Sequence, residues 1–301
     1  MNSALPLLGV AIPLYKRPDT LRKLLESIPA SVNITVSDNG AALSESFRSE
    51  YSHVNFLRQY TILPVLENWN RAAVAINTQW IIMPGDDDLY YPHSFETIER
   101  VIRNNPAADI IFFGHRIIDE NDQVKETWKP EAAFLRPPHG FEKIRLGARA
   151  RPPSIVFRSE LYRQLGGFNE KFRVTAGDND FYQRASLIGN VLFTPDVVSG
   201  YRVWSSGSTM HTIATSEWMK EIDLWCDSIQ EFSAVNTTYR YTNTLRDEIY
   251  LANMRAGIKV LRERGQYGSA WRHFLASRYP YRASPLAQAK LFAQLLLPRA
   301  K

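Results

Sequence analysis

The chain has 301 residues, of which 45% are hydrophobic and 22% charged, which is the balance of a folded globular protein rather than a disordered one. Its longest apolar runs, such as 291–297, fall far short of the ~20 residues of a membrane-spanning helix, and the single cysteine, Cys226, excludes an internal disulfide and fits a reducing cytoplasm. The net charge of +5 is uneven, because residues 255–301 contain ten basic residues and one acid.

Predicted strands and helices alternate through the first 115 residues. The apolar run 7–15 is predicted to be a strand and not a signal peptide, because it lacks a basic start and a small-residue cleavage site. Asp19 is predicted to cap a helix of helically spaced leucines. Further strands are predicted at 32–40, 54–59, 80–84 and 108–114, and further helices at 65–77 and 93–104. This alternation indicates βαβ units and a mainly parallel sheet.

The second half of the chain is less regular. The acidic run 119–122 predicts a hairpin turn, 136–140 and 205–211 predict loops, and strands at 154–158 and 189–204 flank a helix from about 178 to 187. Beyond residue 215 the pattern is helical. We therefore expect an α/β fold with a catalytic domain at 1–215 and a helical C-terminal extension at 216–301.

Acidic residues follow the predicted strands at three points. In open α/β sheets, ligands bind beyond the carboxyl ends of the strands, so these acids are candidates for a shared site. They are Asp38, the triplet Asp86, Asp87 and Asp88, and the pair Asp178 and Asp180.

The aspartate triplet indicates a cation. Three adjacent carboxylates repel one another unless a positive charge lies among them, and Mg²⁺ or Mn²⁺ prefers carboxylate and phosphate oxygens. A metal bound by one or two of these aspartates and by a diphosphate would neutralise the diphosphate as it departs. The alternative is a polar turn that caps the helix beginning near Pro92.

Four segments together resemble the family 2 glycosyltransferases of the GT-A fold. The segments are VAIPLYKRPDTLRKLLESI, VSDNG, WIIMPGDDDLYYP and LGGFNEKFRVTAGDNDFYQRA. They occur in the family's order over roughly residues 7–205, and the last third of the chain is outside the resemblance. The resemblance implies a GT-A fold and Mn²⁺ or Mg²⁺ as cofactor. It also implies an enzyme that transfers a sugar from a nucleotide diphosphate to an acceptor hydroxyl and inverts the anomeric carbon.

The resemblance also implies roles for the residues at matching positions. Asp38 matches the residue that hydrogen-bonds the base of the nucleotide, and Pro13 and Tyr15 belong to the loop that lines the same pocket. The aspartate triplet matches the DxD motif: Asp86 and Asp87 are expected to contact the nucleotide, and Asp86 and Asp88 the metal, with Asp88 the more direct ligand.

The second acidic motif supplies the expected catalytic base. Counting back from Arg184 places Asp178 at the base and Gly177 where the family usually has Glu. A carboxylate that takes the proton of the attacking hydroxyl contributes ~10²–10⁴-fold to the rate. Asp180 is the alternative base, and a simple helix cap is the alternative role for Asp178.

A metal-binding histidine is missing from its usual place. Many relatives have His after the last strand, in YR-x-H, where this chain has Trp204. His211, seven residues later, is the candidate replacement ligand, and its alternative role is that of a solvated loop residue.

The basic C-terminal tail predicts a surface partner. Basic amphipathic helices with aromatic residues lie on anionic membranes, and an ordinary helical cap on the catalytic domain is the alternative. The predicted partners are a nucleotide-sugar donor, a glycan or lipid-linked glycan acceptor, and the membrane, but not nucleic acid. The expected location is the cytoplasm, with possible peripheral contact at the inner face of the plasma membrane, and the expected pathway is bacterial cell-surface polysaccharide synthesis.

Three rival functions fit the sequence less well. A dinucleotide-dependent dehydrogenase is disfavoured, because no G-x-G-x-x-G follows the first strand. A sugar nucleotidyltransferase would also use metal-bound carboxylates, but its Gly-rich basic loop is missing. A non-catalytic nucleotide-sugar-binding protein of the same fold is disfavoured by the presence of Asp38, Asp86, Asp88 and Asp178.

Overall fold

A computed structural model describes residues 5–204, 212–276 and 285–296. Within them the strands form one sheet with the order β3-β2-β1-β4-β9-β6-β10-β5, in which β7 also pairs with β6 and β8 with β10. The strands are β1 Leu8–Leu14, β2 Asn33–Asn39, β3 Asn55–Gln59, β4 Trp80–Ile82, β5 Leu89–Tyr90, β6 Ile110–Ile118, β7 Val124–Trp128, β8 Ala133–Leu135, β9 Ile155–Arg158 and β10 Val191–Arg202.

The sheet is mixed but mainly parallel at its centre. Strands β3, β2, β1 and β4 run parallel to one another, and β6 runs parallel to β10. Strand β9 lies between β4 and β6 and is antiparallel to both. The two parallel groups on either side of β9 therefore run in the same direction. As a result, the carboxyl ends of β1, β4, β6 and β10 all face one edge, where the site is expected.

Helices cover both faces of the sheet. Alternate residues of β1 point to opposite faces, so that Ala11 belongs to one hydrophobic core and Val10 and Ile12 to the other. The helices are α1 Pro18–Glu26, α2 Glu45–Glu50, α3 Val65–Val74, α4 Ser94–Asn104, α5 His139–Ile144, α6 Ser159–Gln164, α7 Gly177–Ile188, α8 Ser216–Asn236, α9 Asn243–Glu263, α10 Tyr267–Ala276 and α11 Pro285–Leu296.

The C-terminal helices share a core with the catalytic domain. Ile222 and Trp225 of α8 are buried in the same hydrophobic cluster as Phe181 of α7. The extension begins at α8, close to the expected boundary at residue 215, but its core is continuous with that of the sheet. Cys226, on the same helix, is fully buried and packs in this cluster. None of the described helices is both long and apolar enough to cross a bilayer.

Most of the predicted elements are present, and one capping prediction is wrong. Helix α1 has Arg17 as its N-cap and Pro18 in its first turn, so Asp19 lies inside the helix and does not cap it. Proline suits this position because its missing N–H would have no helical partner there. The short strands β5 and β8 and the short helices α2, α5 and α6 were not predicted.

Candidate active site

The aspartate triplet lines a cavity of about 430 Å³ at the carboxyl edge of the sheet, which we call the triplet cavity. Loops after β1, β4 and β10 supply most of its walls. The lining residues are Pro13, Tyr15, Arg17, Trp69, Gly85, Asp86, Asp87, Asp88, Arg151, Tyr201, Arg202, Val203 and Trp204. A wider surface cleft beside β6 and β7, of about 920 Å³, has none of the predicted site residues in its lining.

Arg17 neutralises part of the triplet. Its guanidinium contacts Asp86 Oδ1 at 3.3 Å and also pairs with the carboxylate of Asp87. The backbone N–H of Tyr15 donates to Asp86 Oδ2 at 2.8 Å, so the loop after β1 is tied to the loop after β4. Burial raises the pKa of Asp86 to about 7 in spite of these contacts, and the charge of Asp87 adds to the rise. Burial therefore disfavours the charged form of Asp86 unless further positive charge binds beside it.

Asp88 is deeply buried and has a structural contact on each oxygen. It is 1% exposed. Its Oδ2 accepts the N–H of Gly85 at 2.7 Å, and its Oδ1 accepts the N–H of Arg202 at 3.0 Å. Burial raises the pKa of Asp88 well above its usual range, and the charge of Asp87 contributes. Asp88 therefore joins the loop after β4 to the end of β10.

Trp204 takes part in the same cluster. Its indole N–H donates to the Asp87 carboxylate, and its ring lies 5.6 Å from the Arg17 guanidinium carbon. An indole N–H is a donor only, so Trp204 cannot replace the histidine ligand that relatives have at this place. His211 lies outside the described residues.

Asp178 lines a second cavity of about 610 Å³, which we call the Asp178 cavity. Its walls come from α3, α7 and α8 and from the loops 146–152 and 172–176. Three side chains line both cavities, namely Trp69, Arg151 and Tyr201. The two cavities are therefore adjacent, with the triplet on one side of this junction and Asp178 on the other.

The structure separates the two candidate bases. Asp178 is half-buried, and its Oδ1 accepts the N–H of Asn179 at 2.8 Å. Burial raises the pKa of Asp178, although the charge of Arg151 opposes the rise. Asp180 is fully buried, lines neither cavity, and pairs with Arg184 at 2.8 Å. Arg184 also donates to the carbonyls of Leu165 and Gly167, so Asp180 serves the packing of α7.

Tight packing explains the glycine that precedes Asp178. A Cβ atom added at Gly177 would lie 2.3 Å from Leu66 Cδ1 of α3 and 3.1 Å from Phe172 Cβ. A larger residue at this position would require the Leu66 side chain to turn away and Phe172 to shift by a few tenths of an ångström. The glycine therefore allows the Leu66 side chain to pack directly against α7.

A residue of the extension holds the segment before Asp178. Glu221 of α8 is 8% exposed, and its carboxylate accepts the N–H groups of Arg173, Val174 and Thr175 at 2.6–3.0 Å. Three successive N–H groups that converge on one anion form a fixed nest. Sequence reasoning missed Glu221, because a glutamate in an amphipathic helix normally indicates a solvated face.

Asp38 lies outside both cavities. It is fully buried, pairs with Arg48 at 2.6 Å, and accepts the N–H groups of Ala42 at 2.8 Å and Leu43 at 3.3 Å. These contacts fix the loop after β2, so the hydrogen bond that Asp38 is expected to accept from the base stays a prediction that this arrangement does not support. Pro13 and Tyr15, in contrast, line the triplet cavity, and their predicted contact with the base stays a prediction.

The triplet fits a metal that is shared with a ligand, not one enclosed by protein alone. No group of three or more His, Cys, Asp or Glu side chains with metal-site geometry occurs in the described part of the chain. Mg²⁺ commonly binds one or two carboxylates together with substrate phosphates. A cation would favour the charged form of the buried carboxyls of Asp86 and Asp88, and a ligand phosphate would complete its coordination.

The family model described as Glycosyl transferase family 2 matches residues 9–166, just over half of the chain. The protein belongs to glycosyl transferase family 2. The predicted family and the prediction of a glycosyltransferase enzyme are thereby confirmed at the level of the family. The matched region contains the triplet and ends before Asp178.

Curated relatives are distant. An uncharacterized glycosyltransferase of Haemophilus influenzae is 24% identical over 196 residues, which cover 63% of this chain and 64% of that protein. An uncharacterized glycosyltransferase of Methanocaldococcus jannaschii is 25% identical over 191 residues, 60% of this chain and 64% of that protein. The matched stretch thus spans a little under two thirds of these two relatives.

Solved structures confirm the GT-A fold class. S. aureus TarS, residues 1–349 in complex with UDP-GlcNAc, superposes with a TM-score of 0.64 at 13% identity, over 96% of this chain and 79% of that chain. The same protein without the ligand in its description gives a TM-score of 0.60 at 12% identity. At such identities the likeness concerns the fold, and it extends over the C-terminal helices as well as the sheet.

Proposed function

We propose that this protein is an inverting glycosyltransferase that binds a nucleotide-sugar in the triplet cavity and an acceptor hydroxyl in the Asp178 cavity. The observation that carries the proposal is the junction at Trp69, Arg151 and Tyr201, which brings the two cavities together. A sugar at this junction would have its diphosphate beside the triplet and its opposite face toward Asp178. Attack from that side inverts the anomeric carbon.

The reaction balances with the groups present. The acceptor oxygen forms a bond to the anomeric carbon while the bond from that carbon to the diphosphate oxygen breaks. The electron pair of the broken bond stays on the departing diphosphate, and the acceptor's proton passes to Asp178. The raised pKa of Asp178 makes it a better proton acceptor than an ordinary aspartate, and it remains ionised where its pKa lies below the operating pH.

Asp86 and Asp88 would hold Mn²⁺ or Mg²⁺ together with the diphosphate. The metal, when bound, would neutralise charge on the leaving group. The chain's own residues then have separate tasks: the Tyr15 N–H orients Asp86, and Arg202 and Gly85 orient Asp88. Arg17 is 42% exposed on its side chain and has room to leave the carboxylates when a ligand arrives.

Uracil is the preferred base. TarS, whose fold this chain shares, has been solved with UDP-GlcNAc and with UDP, and that likeness supports a nucleoside diphosphate here. Pro13 is buried at the end of β1, and Tyr15 is 44% exposed beside it. Together they offer an apolar edge and an aromatic ring to a flat base.

The Asp178 cavity suits a sugar acceptor. Trp69, Trp218 and Trp225 line it, and the indole N–H groups of the last two are bonded to Asn253 and Gln183. Fixed aromatic faces favour the apolar faces of sugar rings, and the amides of Asn179 and Asn253 add polar groups to the lining. We assign the acceptor to a glycan or lipid-linked glycan, as in bacterial cell-surface polysaccharide synthesis.

The C-terminal helices support peripheral contact with an anionic membrane. Leu275 of α10 is 74% exposed, and Phe292 and Leu296 of α11 are 47% and 60% exposed. The ten basic residues of the segment 255–301 supply charge that complements acidic lipid headgroups. Flotation with vesicles of phosphatidylglycerol should retain the protein and phosphatidylcholine vesicles should not. Equal recovery with both would contradict membrane contact at this surface.

Binding and product analysis test the function. With Mn²⁺, calorimetry on UDP-, GDP- and dTDP-sugars should identify a donor, and slow turnover of that donor should release a nucleoside diphosphate. Release of pyrophosphate from a nucleoside triphosphate incubated with a sugar 1-phosphate would instead indicate the nucleotidyltransferase alternative. Binding without any turnover, with or without glycan acceptors, would indicate a non-catalytic protein of the same fold.

A further inference from the structure

Arg151 differs in its contacts from the other arginines of the two cavities. Arg17 pairs with the triplet, Arg173 with Glu67 at 3.2 Å, and Arg202 with Asp122. In the part of the chain that the structure describes, no salt bridge to a carboxylate involves Arg151. Its guanidinium carbon instead lies 5.3 Å from the centre of the Tyr201 ring.

The backbone of Arg151 is fixed although its side chain is exposed. Its N–H donates to Ser154 Oγ at 3.2 Å, and its carbonyl accepts from both the hydroxyl and the N–H of Ser154 at 2.8 Å. Ser154 is fully buried and follows two prolines, so this turn has little freedom. A fixed backbone together with a ring beneath the guanidinium places the positive charge at the junction of the cavities before any ligand binds.

The departing diphosphate requires positive charge beside it, and Arg151 lies where that charge is needed. A nucleoside diphosphate leaves with more negative charge than it carried in the donor, and the three aspartates beside it supply no positive charge. Trp204 adds no metal ligand, and the other guanidinium groups at the triplet cavity already have acidic partners. A guanidinium group that lies over an aromatic ring still has the N–H groups of its edge available. Two of these N–H groups can donate to two oxygens of one phosphate.

We propose that Arg151 is a further catalytic residue, which binds the distal phosphate of the donor and stabilises the diphosphate as it departs. This inference rests on the proposed function. As the bond between the anomeric carbon and the phosphate oxygen breaks, the electron pair moves to that oxygen, and the N–H groups of Arg151 donate to the phosphate that carries it. Since the acceptor's proton passes to Asp178, Arg151 neither gains nor loses a proton.

Nucleotide pairs that differ by one phosphate provide the test. Calorimetry with Mg²⁺ would compare UDP with UMP, GDP with GMP and dTDP with dTMP, and the pair that the wild-type protein binds would then be applied to variants. Arg151→Gln should lower the affinity for the nucleoside diphosphate by about 10-fold or more, as expected for a lost hydrogen bond to a charged group. The affinity for the nucleoside monophosphate should change by less than about 2-fold. The ratio of the diphosphate affinity to the monophosphate affinity should therefore fall. Arg151→Lys keeps the positive charge but lacks the paired N–H groups of a guanidinium. Its affinity ratio should lie between those of the wild type and Arg151→Gln.

Arg149→Gln is the matched control. Arg149 lies two residues earlier in the same loop, is exposed, and lines neither the triplet cavity nor the Asp178 cavity. The Arg149→Gln substitution removes the same charge as Arg151→Gln and should leave the affinity ratio unchanged. In donor hydrolysis, Arg151→Gln should lower kcat as well as donor affinity, because the contact strengthens while the diphosphate departs.

Each other result has a definite meaning. An unchanged ratio in Arg151→Gln, with nucleotide still bound by the wild type, would overturn the role of Arg151 and leave the proposed function intact. A higher KM for acceptor with an unchanged ratio would assign Arg151 to the acceptor and also overturn the inference. A wild-type protein that binds none of these diphosphates would overturn both.

Discussion

Glu221 of the C-terminal extension accepts a 2.7 Å hydrogen bond from the backbone N–H of Thr175, three residues before Asp178. The same carboxylate holds the N–H groups of Arg173 and Val174. The segment that leads into α7 is therefore fixed by a residue 46 positions later in the chain. This contact links the extension to the position of the proposed base.

Replacing Glu221 should impair transfer more than nucleotide binding. Glu221→Gln keeps the shape but loses the charge and replaces one acceptor oxygen by a donor that faces backbone N–H groups. We expect kcat for donor hydrolysis to fall by ~10-fold, the unfolding free energy to fall by ~1–3 kcal/mol, and diphosphate affinity to stay within a few-fold. Glu217→Gln, one turn earlier on the exposed side of α8, is the control. Equal effects of the two variants would remove Glu221 from this role.

Replacing the two acids of α7 should have different consequences. Asp178→Asn should reduce transfer by ~10²–10⁴-fold with donor affinity almost unchanged, because it removes the proton acceptor. Asp180→Asn breaks a buried ion pair with Arg184 and should cost ~3–5 kcal/mol of unfolding free energy, while the protein that remains folded stays active. Steady-state kinetics and thermal unfolding on both variants would decide. An active Asp178→Asn beside a folded but inactive Asp180→Asn would transfer the base to Asp180.

The pH dependence of transfer should report on Asp178. Burial raises its pKa, so the rate should fall on the acid side at a pH above 3.8, the ordinary aspartate value. Arg151 opposes that rise, and Arg151→Gln should therefore move the acid limb to still higher pH. A kcat profile over pH 4–8 measures both, with Arg149→Gln as control. An acid limb that stays in place in Arg151→Gln would show that the two side chains do not interact.

The same shift predicts a gain in stability. A carboxyl whose pKa is raised by folding destabilises the folded state while it is ionised, and this cost disappears as the pH falls below the unfolded value of about 3.8. Asp178→Asn should therefore raise the melting temperature at pH 7.5 and have less effect at pH 4. A lower melting temperature at pH 7.5 would mean that the carboxylate stabilises its surroundings.

Asp38 and Arg48 offer a test of base recognition. If Asp38 mainly fixes the loop after β2, Asp38→Asn and Arg48→Gln should lower the unfolding free energy and weaken UDP binding to similar extents, because each breaks the same buried pair. If Asp38 instead contacts uracil directly, only Asp38→Asn should lose UDP affinity. Calorimetry on folded samples of both variants distinguishes the two.

Apolar runs and acidic clusters carried most of the sequence prediction. Runs such as 80–84 and 108–114 form buried strands, because both faces of a helix-covered sheet must be apolar. The triplet was placed at the sheet edge because it follows such a strand directly. The strand β9 was predicted at 154–158, but its antiparallel direction was not, and the two-residue strand β5 was not predicted at all. Both features depend on pairing with distant strands and not on a local pattern.

The residues that sequence reasoning missed act across long separations. Glu221 binds backbone groups of another element, which no spacing in its own helix reveals. Arg151 stands in a proline-containing loop, and its importance follows only from the meeting of two cavities. Asp38 shows the converse, because a motif position at a strand end is buried in an ion pair with a short helix that was not predicted.

The most direct test of the account is a phosphorus and proton NMR time course of donor turnover. Wild-type protein would be incubated with Mg²⁺ and the α-linked nucleotide-sugar that it binds, with water as acceptor and Asp178→Asn as control. The account predicts release of the nucleoside diphosphate and first appearance of the β-sugar, both lost in the variant. First appearance of the α-sugar, or release of nucleoside monophosphate and sugar phosphate in place of the diphosphate, would contradict it.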